Sequence, residues 1–395
     1  MLERAKKLKA KLINYRHDFH KYPEVGFHEY RTSEKVIEAL SVLGCRVRKN
    51  VGKTGVVAEL GQGQSIVAIR ADMDALPLQE DNQIEYASQN PGVMHACGHD
   101  AHTAILLGVA ELLAQEEKLP GTVRFFFQPA EEVADEEGFS GAQRMIQDGA
   151  MEGGVGITIA LHVSSLLPVG QIRIGSGPSS GGVDTFRASI LGKGGHGARP
   201  QETIDPIYLS AYVILALQGI SSRKLDPYDP AVVSIGSIHA GNAENVIPNQ
   251  VDILGTIRYT KHTVQEQIHE EIKKAFEVTK SLGGDYLLKF EPGTPPMIND
   301  EKVVKLIKQT AADIIGSENV LPPIEGLGAE DFGCFSELAP GAMFNLGCRF
   351  EGDERKHHNS RFDVNDECLP IGAAILAETA LRFLRNGGVQ VPLSL

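Results

Sequence analysis

The sequence predicts an α/β fold in which a small ferredoxin-like domain interrupts a larger domain with a mainly parallel sheet. Three observations indicate this. Short apolar strand patterns alternate with helical patterns in the N-terminal part, which is typical of a parallel sheet. A glycine-rich stretch, G-S-G-P-S-S-G-G at 175–182, then precedes a β-α-β-β-α-β order of elements. The chain has 395 residues, of which 42% are hydrophobic, enough for two cores.

The spacing of apolar residues predicts the elements in order. In the first part we expect helices at 2–19, 30–43, 100–115 and 139–149, and strands at 56–60, 65–70, 122–128 and 156–163. The first two strands flank Gly61-Gln62-Gly63, so we expect them to form a hairpin. After the linker we expect a strand at 183–191, a helix at 203–220, strands at 231–239 and 250–259, a helix at 263–281 and a strand at 285–290. The predicted larger domain therefore spans 1–179 and 292–395, and the inserted domain spans 180–291.

Composition and charge narrow the classes of function. The formal net charge is −13, which disfavours nucleic-acid binding because phosphate neutralisation needs a basic face. No apolar run reaches the roughly 20 residues of a membrane helix, and the charged N-terminal segment lacks the apolar core of a secretion signal. The five cysteines form no C-x-x-C pair, which favours a reducing compartment over a disulfide framework. We therefore expect a cytoplasmic protein whose partners are small molecules or further copies of itself.

The segment H-A-C-G-H-D at 95–100 offers two metal ligands. Cys97 and His99 are two residues apart, so an extended backbone would direct both to the same side. Thiolate and imidazole groups bind zinc and related divalent cations. The alternative is a buried cysteine beside a helix-capping histidine, and the motif alone does not separate the two.

Acidic and histidine side chains also stand at the ends of the predicted strands. They belong to R-A-D-M-D, Q-P-A-E-E and A-L-H-V, and they are Asp72, Asp74, Glu131, Glu132 and His162. Each motif has an ordinary alternative: a turn before a proline, an acidic surface loop, or a core histidine. Parallel strands bring their carboxyl ends to one edge, where open α/β sheets bind ligands. Because all three motifs meet that edge, we expect a metal site there, in which one carboxylate binds metal and its neighbour takes a proton from water.

Two other motifs do not fit their usual context. G-P-S-S-G at 177–181 matches the G-x-S-x-G pattern of serine hydrolases, but that pattern needs a following helix and here a strand is expected. The glycines at 61–63 lack the third glycine and the following helix of a dinucleotide-binding loop. Neither motif is assigned a function.

The motifs taken together resemble one enzyme family. They occur in the order R-A-D-M-D-A-L-P, H-A-C-G-H-D-A-H-T-A, F-x-F-Q-P-A-E-E, G-G-H, E-N-V-I-P, G-T-I-R and G-A-E-D-F. This order resembles the dinuclear-metal amidohydrolases that include hippurate hydrolase, N-acyl-amino-acid deacylases and auxin-conjugate hydrolases, within the aminoacylase–carboxypeptidase lineage. The resemblance covers essentially the whole chain.

The resemblance implies a site for two divalent cations, drawn from zinc, manganese, cobalt or nickel. The implied metal ligands are Cys97, His99, Glu132, His162 and His358. Glu131 matches the general base, and Asp74 matches an acidic residue that orients one ligand. The last ligand loop reads H-H-N-S where the family usually has H-S-P, so His357 is an alternative to His358.

The resemblance also implies that the inserted domain serves as a lid and as a contact in a homodimer or higher oligomer. His196 matches a histidine that such dimers offer to the neighbouring active site, and Asn245 and Arg258 match positions on the substrate side. The implied reaction is hydrolysis of the amide bond of N-acyl amino acids with acetyl, benzoyl or longer acyl groups. The alternatives are a metallo-exopeptidase acting on dipeptides and a non-catalytic metal- or ligand-binding protein.

Overall fold

The computed structural model describes residues 1–324, 326–353 and 355–388. These residues form two compact units. The first unit comprises Met1–Ser179, Ile298–Ile324 and the described residues from Asp331 onward, and the second comprises Ser180–Met297 and residues 326–330. The second unit therefore interrupts the first in sequence.

Both units contain helices and strands. The α-helices are α1 (Leu2–Lys7), α2 (Lys9–Lys21), α3 (Tyr30–Val42), α4 (His99–Ala114), α5 (Gly141–Gln147), α6 (Pro206–Gln218), α7 (Ile220–Arg223), α8 (His262–Ser281), α9 (Glu301–Ile315), α10 (Gly333–Ser336) and α11 (Leu369–Arg385). Turns of 3-10 helix occur at Pro200–Glu202, Ser317–Asn319 and Asp366–Cys368. The strands are β1 (Arg46–Lys49), β2 (Val56–Gly61), β3 (Ile66–Asp72), β4 (Thr122–Gln128), β5 (Val155–Pro168), β6 (Ile172–Arg173), β7 (Gly177–Ser180), β8 (Gly182–Leu191), β9 (Gly195–His196), β10 (Val232–Ala240), β11 (Val246–Ile247), β12 (Gln250–Tyr259), β13 (Asp285–Pro292), β14 (Met297–Asn299), β15 (Val320–Leu321) and β16 (Gly341–Arg349). No helix within the described ranges combines the length and the apolar character needed to cross a bilayer.

The first unit is built on an eight-stranded sheet in the order β1-β2-β4-β3-β5-β16-β6-β15. The central pairs β4–β3, β3–β5 and β5–β16 are parallel, whereas the pairs β1–β2 and β2–β4 at one side are antiparallel. Strands β3 and β4 are buried along their whole length, as expected for strands covered on both faces. Helices α4 and α11 pack against β3 and β5 and against each other. The predicted α/β class with a mainly parallel sheet is confirmed.

The predicted hairpin between the strands at 56–60 and 65–70 is wrong. Strand β4 lies between β2 and β3, antiparallel to the first and parallel to the second. The physical reason is that β4 is mostly apolar and buried along its whole length, which is typical of a strand in the interior of a sheet that is covered on both faces. Phe125 and Phe127 join the main core. The intervening Phe126 lies with its ring centroid 5.1 Å from that of Phe335.

The second unit has the predicted ferredoxin-like order of elements. They run β8-α6-β10-β12-α8-β13, with the short helix α7 following α6. The sheet has the order β10-β12-β8-β13, and all neighbours are antiparallel. Alternate residues of β8 are buried, so one face of the sheet packs against α6 and α8. This core is separate from that of the first unit and includes the fully buried Phe186, Ile257, Ile268 and Phe276.

A buried arginine ties helix α2 to two other segments of the first unit. The Arg16 side chain is fully buried, and its Nε donates to Asp100 Oδ2 over 3.1 Å at the start of α4. Its Nη1 donates to the Val364 carbonyl over 2.7 Å and to Asp366 Oδ1 over 2.6 Å, while Nη2 donates to Asp363 Oδ1. Buried charges are tolerated when each has a partner. Arg16 therefore holds α2, α4 and the segment around 363–366 in one arrangement.

Replacing Arg16 with methionine should leave the Asp100 and Asp363 carboxylates buried without their cation. We expect the free energy of unfolding to fall by about 3–5 kcal/mol, because removing one partner leaves uncompensated buried charge. Denaturant unfolding followed by circular dichroism measures the loss. The matched control on the same helix is Lys11→Met, because the half-exposed Lys11–Glu111 pair should contribute no more than about 1 kcal/mol. Equal losses from the two variants would contradict this account of the cluster.

Candidate metal centre

The candidate ligands lie where parallel strands of the first unit end. Strand β3 ends at Asp72 and β4 ends at Gln128, and the segments that follow carry Asp74 and the pair Glu131 and Glu132. Helix α4 begins at His99 near the same edge, within hydrogen-bonding distance of Asp74. These groups thus lie at the strand ends, where the sequence predicts them.

His162 does not end its strand as predicted. Strand β5 continues to Pro168, because the residues after His162 remain paired with β16. The pairing of β5 with β3 stops at Ala160. His162 therefore projects from the middle of a long strand, two residues beyond the last residue of β5 that pairs with β3.

Cys97, His99 and His162 form a group whose possible ligand atoms lie within 4.8 Å of one another. Cys97 Sγ is 3.4 Å from His162 Nε2. His162 Nδ1 lies 2.8 Å from the Val163 carbonyl oxygen, to which it can donate. That bond fixes the ring so that Nε2 faces the thiol.

A glycine between the first two ligands permits this approach. The φ angle of Gly98 is +96°, in the left-handed region. A Cβ atom at this position would come within 2.3 Å of Val163 Cγ2. Any other residue would therefore meet both a backbone penalty and a steric clash. The sharp bend allows Cys97 and His99 to approach the same strand, β5.

Asp74 orients His99. The Nδ1 atom of His99 lies 2.9 Å from the carbonyl oxygen of Asp74 and 3.1 Å from its Oδ1. The other ring nitrogen, Nε2, is buried and makes no hydrogen bond to any part of the chain that the structure describes. Metal-binding histidines commonly donate a hydrogen bond from the N–H of their second ring nitrogen to a carboxylate or carbonyl oxygen in this way.

Glu132 and His358 complete the cluster. Glu132 Oε1 and His358 Nε2 are 3.0 Å apart. The backbone N–H of Glu132 donates to Asp74 Oδ2 over 3.0 Å, so one carboxylate contacts both His99 and the Glu132 loop. The backbone N–H of His358 donates to the Ala96 carbonyl over 2.8 Å, which anchors the C-terminal loop beside Cys97.

Several overlapping groups at this edge could hold a metal, and three of them consist of predicted site residues: Cys97, His99 and His162; Cys97, Glu132 and His358; and His99, Glu131 and Glu132. Together they contain all five predicted ligands and the predicted base. A set of thiol, imidazole and carboxylate donors suits zinc and related divalent cations. Two buried atoms, His99 Nε2 and Glu132 Oε1, make no well-aligned hydrogen bond among the described residues, although they lie 3.6 Å from Asp72 Oδ2 and 3.0 Å from His358 Nε2, respectively. Because a cation would satisfy both atoms, these residues fit a metal centre.

Burial favours the neutral form of two of these groups. It raises the pKa of the Cys97 thiol above its ordinary value and lowers the pKa of His162 well below its ordinary value. Neutral imidazole is the form that binds a metal. The thiol must lose its proton on binding, so metal affinity at this site is linked to pH.

The structure distinguishes His358 from its neighbour His357. The His357 ring lies 4.6 Å from the Phe362 ring and 5.4 Å from the His162 ring, measured between centroids. Burial lowers the pKa of His357 to about 4. Among the described residues, His357 belongs to none of the groups that could hold a metal. His358 is therefore the better candidate for the last ligand.

The sequence analysis assigned no role to His102, which supports the centre from behind. Its Nδ1 lies 2.6 Å from Asp72 Oδ1, and its Nε2 accepts a hydrogen bond from the Val163 N–H over 2.9 Å. Arg70 Nη1 also donates to the Asp72 carboxylate, over 2.6 Å. These contacts fix the backbone beside His162. The sequence feature that could have identified His102 is its spacing of three residues from His99, because residues at i and i+3 lie on the same face of a helix.

The other three predicted site residues belong to the second unit. His196 lies in β9, which pairs with β11, and the Asn245 carbonyl accepts from Gly197 N over 2.8 Å. His196 and Asn245 therefore lie close together. Arg258 lies on β12 in the four-stranded sheet, where burial lowers its pKa. Its Nη1 makes no hydrogen bond within the described ranges. A partly buried guanidinium of this kind is suited to bind an anion.

Comparisons with known proteins identify the family. Residues 68–382 match the model of peptidase family M20/M25/M40. IAA-amino acid hydrolase ILR1-like 5 of Arabidopsis thaliana is 39% identical over 382 residues, which cover 94% of this chain and 86% of that protein. N-acetyl-L-cysteine deacetylase of Bacillus subtilis is 36% identical over 384 residues, which cover 95% of this chain and 89% of that protein.

A solved structure agrees with these relatives. The YXEP protein of Bacillus subtilis, a dinuclear metal-binding peptidase of family M20, has a TM-score of 0.83 and 33% identity. The match covers 96% of this chain and 99% of that chain. The resemblance indicated by the motifs is thereby confirmed, and the cluster of thiol, imidazole and carboxylate groups agrees with it. The chain belongs to peptidase family M20/M25/M40 and is a metal-dependent amidohydrolase.

Proposed function

We propose that this chain hydrolyses the amide bond of N-acyl amino acids and releases a carboxylate and a free amino acid. The observation that carries the proposal is the proximity of Glu131 to the cluster of candidate ligands around His99 and Glu132. Two relatives support the substrate class. One is named for hydrolysing an amino-acid conjugate, and the other is named for deacetylating N-acetyl-L-cysteine.

The proposed ligands are Cys97, His99, Glu132, His162 and His358. When bound, two divalent cations drawn from zinc, manganese, cobalt or nickel would polarise the amide carbonyl and make water more acidic. Asp74 keeps His99 in the tautomer whose Nε2 faces the cluster. The same carboxylate accepts from the Glu132 N–H and so restrains the loop that also carries Glu131.

Glu131 moves the proton in the proposed reaction. Its carboxylate takes a proton from the attacking water and then delivers it to the nitrogen of the leaving amino acid. The bond between the acyl carbon and that nitrogen breaks as the amine becomes protonated. A protein that only binds metal has no need of a second carboxylate directly beside the ligand Glu132, so this arrangement favours an enzyme.

The second unit, which we propose serves as a lid, supplies groups that recognise substrate. Arg258 would hold the carboxylate of the amino acid, because its planar guanidinium can bind both oxygens. Its half-buried position and the lack of a hydrogen bond at Nη1 within the described chain support this role. Asn245 would contact the same side of the substrate. His196 would donate a hydrogen bond to the oxyanion that develops in the active site of a neighbouring copy.

A homodimer or higher oligomer is part of this proposal. Helix α6 leaves Ile207, Tyr208, Tyr212 and Leu215 exposed, and Leu215 is 72% exposed. An exposed apolar patch of this kind marks a surface that another chain covers. Since α6 belongs to the same unit as His196, a second copy bound there would account for a histidine that acts in trans.

A metallo-exopeptidase acting on dipeptides is the second candidate. The solved relative YXEP is a peptidase, and a dipeptide also has an amide bond beside a free carboxylate. The two functions differ in whether the group on the acyl side carries a free amine. A panel of substrates with and without that free amine therefore distinguishes the two functions.

Chelation of the metal should abolish hydrolysis, and separate addition of zinc, manganese or cobalt should restore it. The panel comprises N-acetyl, N-benzoyl and longer N-acyl amino acids beside dipeptides, with released amino acid as the readout. Restored release from the acyl conjugates supports the proposal and identifies the acyl group. Hydrolysis of dipeptides alone would favour the exopeptidase. Inactivity on the whole panel, with metal shown to be bound, would contradict both candidates.

The variant Glu131→Gln should bind metal as the wild type does and lose turnover by about 10²–10⁴-fold, because the amide accepts no proton. Steady-state kinetics and metal analysis of the same sample make the comparison. Glu136→Gln is the matched control, since Glu136 is an exposed member of the same acidic run. Turnover near the wild-type value in Glu131→Gln would show that another group is the base.

The variants His196→Ala and Glu131→Gln should each be inactive alone and should complement each other when mixed. In a mixed dimer, one active site receives both intact residues, so random exchange should restore about a quarter of the wild-type activity. Subunit exchange is verified with two differently tagged chains. Absence of recovery after verified exchange would exclude the action of His196 in trans.

A further inference from the structure

The turn that precedes Glu131 has an unusual backbone conformation. After β4 the chain runs through Pro129 and Ala130, and the φ angle of Ala130 is +44°. An L-residue with a Cβ atom is disfavoured in this left-handed region. Such conformations persist only where the surrounding structure holds them, and they concentrate at functional sites. Contacts around the turn must therefore hold Ala130 in this conformation.

Hydrogen bonds hold the turn from three directions. The Ala130 N–H donates to Glu29 Oε1 over 2.8 Å, and the Ala130 carbonyl accepts from Gly141 N over 2.9 Å. On the far side, Glu132 N donates to Asp74 Oδ2. Gly141, the first residue of α5, lies so close that a Cβ atom on it would be 1.6 Å from the Pro129 oxygen. The turn is thus held by Glu29, by Asp74 and by the start of α5.

Glu29 is the one side chain in this set that binds Ala130 directly. It is fully buried, and its second oxygen, Oε2, is hydrogen-bonded to the Thr54 hydroxyl. Its own carbonyl accepts from Ser33 N over 2.9 Å, which anchors Glu29 at the start of α3. Burial, reinforced by the charge of Asp74, raises the pKa of Glu29 to about 8. The buried carboxyl group of Glu29 thus holds the backbone N–H of the residue that precedes the proposed base.

We propose that Glu29 is a positioning residue that acts through the left-handed Ala130 turn to aim the Glu131 carboxylate. This inference rests on the proposed role of Glu131 as the base. Among the described residues, Glu29 belongs to none of the groups that could hold a metal. Its two hydrogen bonds fix one side of the turn, and the direction in which Glu131 leaves the turn follows from the dihedral angles of Ala130. Without the acceptor, Ala130 would relax to an ordinary conformation and Glu131 would turn away.

The test compares Glu29→Met with Glu29→Gln. Glutamine retains an oxygen that accepts from Ala130 and an amide group that bonds Thr54, so its kcat should stay within about threefold of wild type. Methionine fills the space without an acceptor, and kcat should fall about 100-fold, as expected for a misplaced catalytic group. KM and metal content should stay within about twofold of wild type, because the proposed role of Glu29 is to position Glu131 and not to bind substrate or metal. If Glu29→Met does not fold, Glu29→Ala takes its place.

The matched control for lost stability is Asp300→Ala. Asp300 also accepts from backbone amides, those of Lys302 and Val303 at the start of α9. Its own N–H donates to the carbonyl of Gly341, at the opposite end of the parallel strands from the ligand cluster. Asp300→Ala should lower the melting temperature and leave kcat unchanged. A Glu29→Met variant that behaves in the same way would overturn the inference.

A second substitution tests the mechanism directly. Glycine occupies the left-handed region without penalty, so Ala130→Gly in the Glu29→Met background should recover about tenfold of the lost kcat. Ala130→Gly alone should stay within about threefold of wild type. No recovery in the double variant would show that Glu29 does not act through the turn.

Parallel kinetics of Glu131→Gln separate the inference from the proposed function. If Glu131→Gln keeps wild-type turnover, the base proposal fails whatever the Glu29 variants do. If Glu131→Gln is inactive while Glu29→Met is active, the base proposal stands and the positioning inference alone fails.

Discussion

The carboxylate of Asp74 is the contact on which the arrangement of the candidate metal centre depends. One of its oxygens lies 3.1 Å from His99 Nδ1, and the other accepts from the Glu132 N–H over 3.0 Å. The residue is 1% exposed, so these contacts do not compete with water. The orientation of the imidazole and the course of the loop after β4 are therefore coupled. A change that moves Asp74 moves two candidate ligands at once, and neither can adjust independently of the other.

Two further buried side chains, Arg16 and Glu29, stabilise the segments that carry the candidate site residues. Arg16 pairs with Asp100, the residue after His99, and with Asp363, a few residues beyond His358. On the other side, Glu29 holds the turn before Glu131. The residues around the candidate metal centre are thus held by ion pairs and hydrogen bonds, and not by apolar packing alone. Such networks are costly to bury but specify one geometry when every member has a partner. The positions of the candidate ligands therefore depend on Arg16 and Glu29, which are not themselves ligands.

The parts of this structure that were predictable from sequence are those that depend on one element at a time. The apolar periods predicted most of the longer helices and strands before residue 291, although the helix expected at 2–19 is divided into α1 and α2. The strand-end positions of Glu132 and Asp74 predicted where ligands gather. The hairpin failed because glycines at 61–63 indicate that the chain turns, not which strand becomes the neighbour. Glu29 was missed because its side chain accepts a hydrogen bond from a backbone N–H 101 residues away. Every residue except proline has such an N–H, so the sequence does not indicate which one the carboxyl group binds. His162 was found, although its strand extends further than predicted.

The position of β16 in the sheet bears on how the chain reaches its folded form. This strand pairs with β5, although the whole second unit is synthesised between them. A chain emerging from the ribosome therefore carries an apolar strand whose edge stays open until the last part arrives. Open edges of that kind invite pairing with other chains. Since His358 follows β16, the final candidate ligand is made just after the strand that closes the sheet. Closure of the nascent sheet and completion of the ligand set thus coincide, and a chain stopped before β16 lacks both.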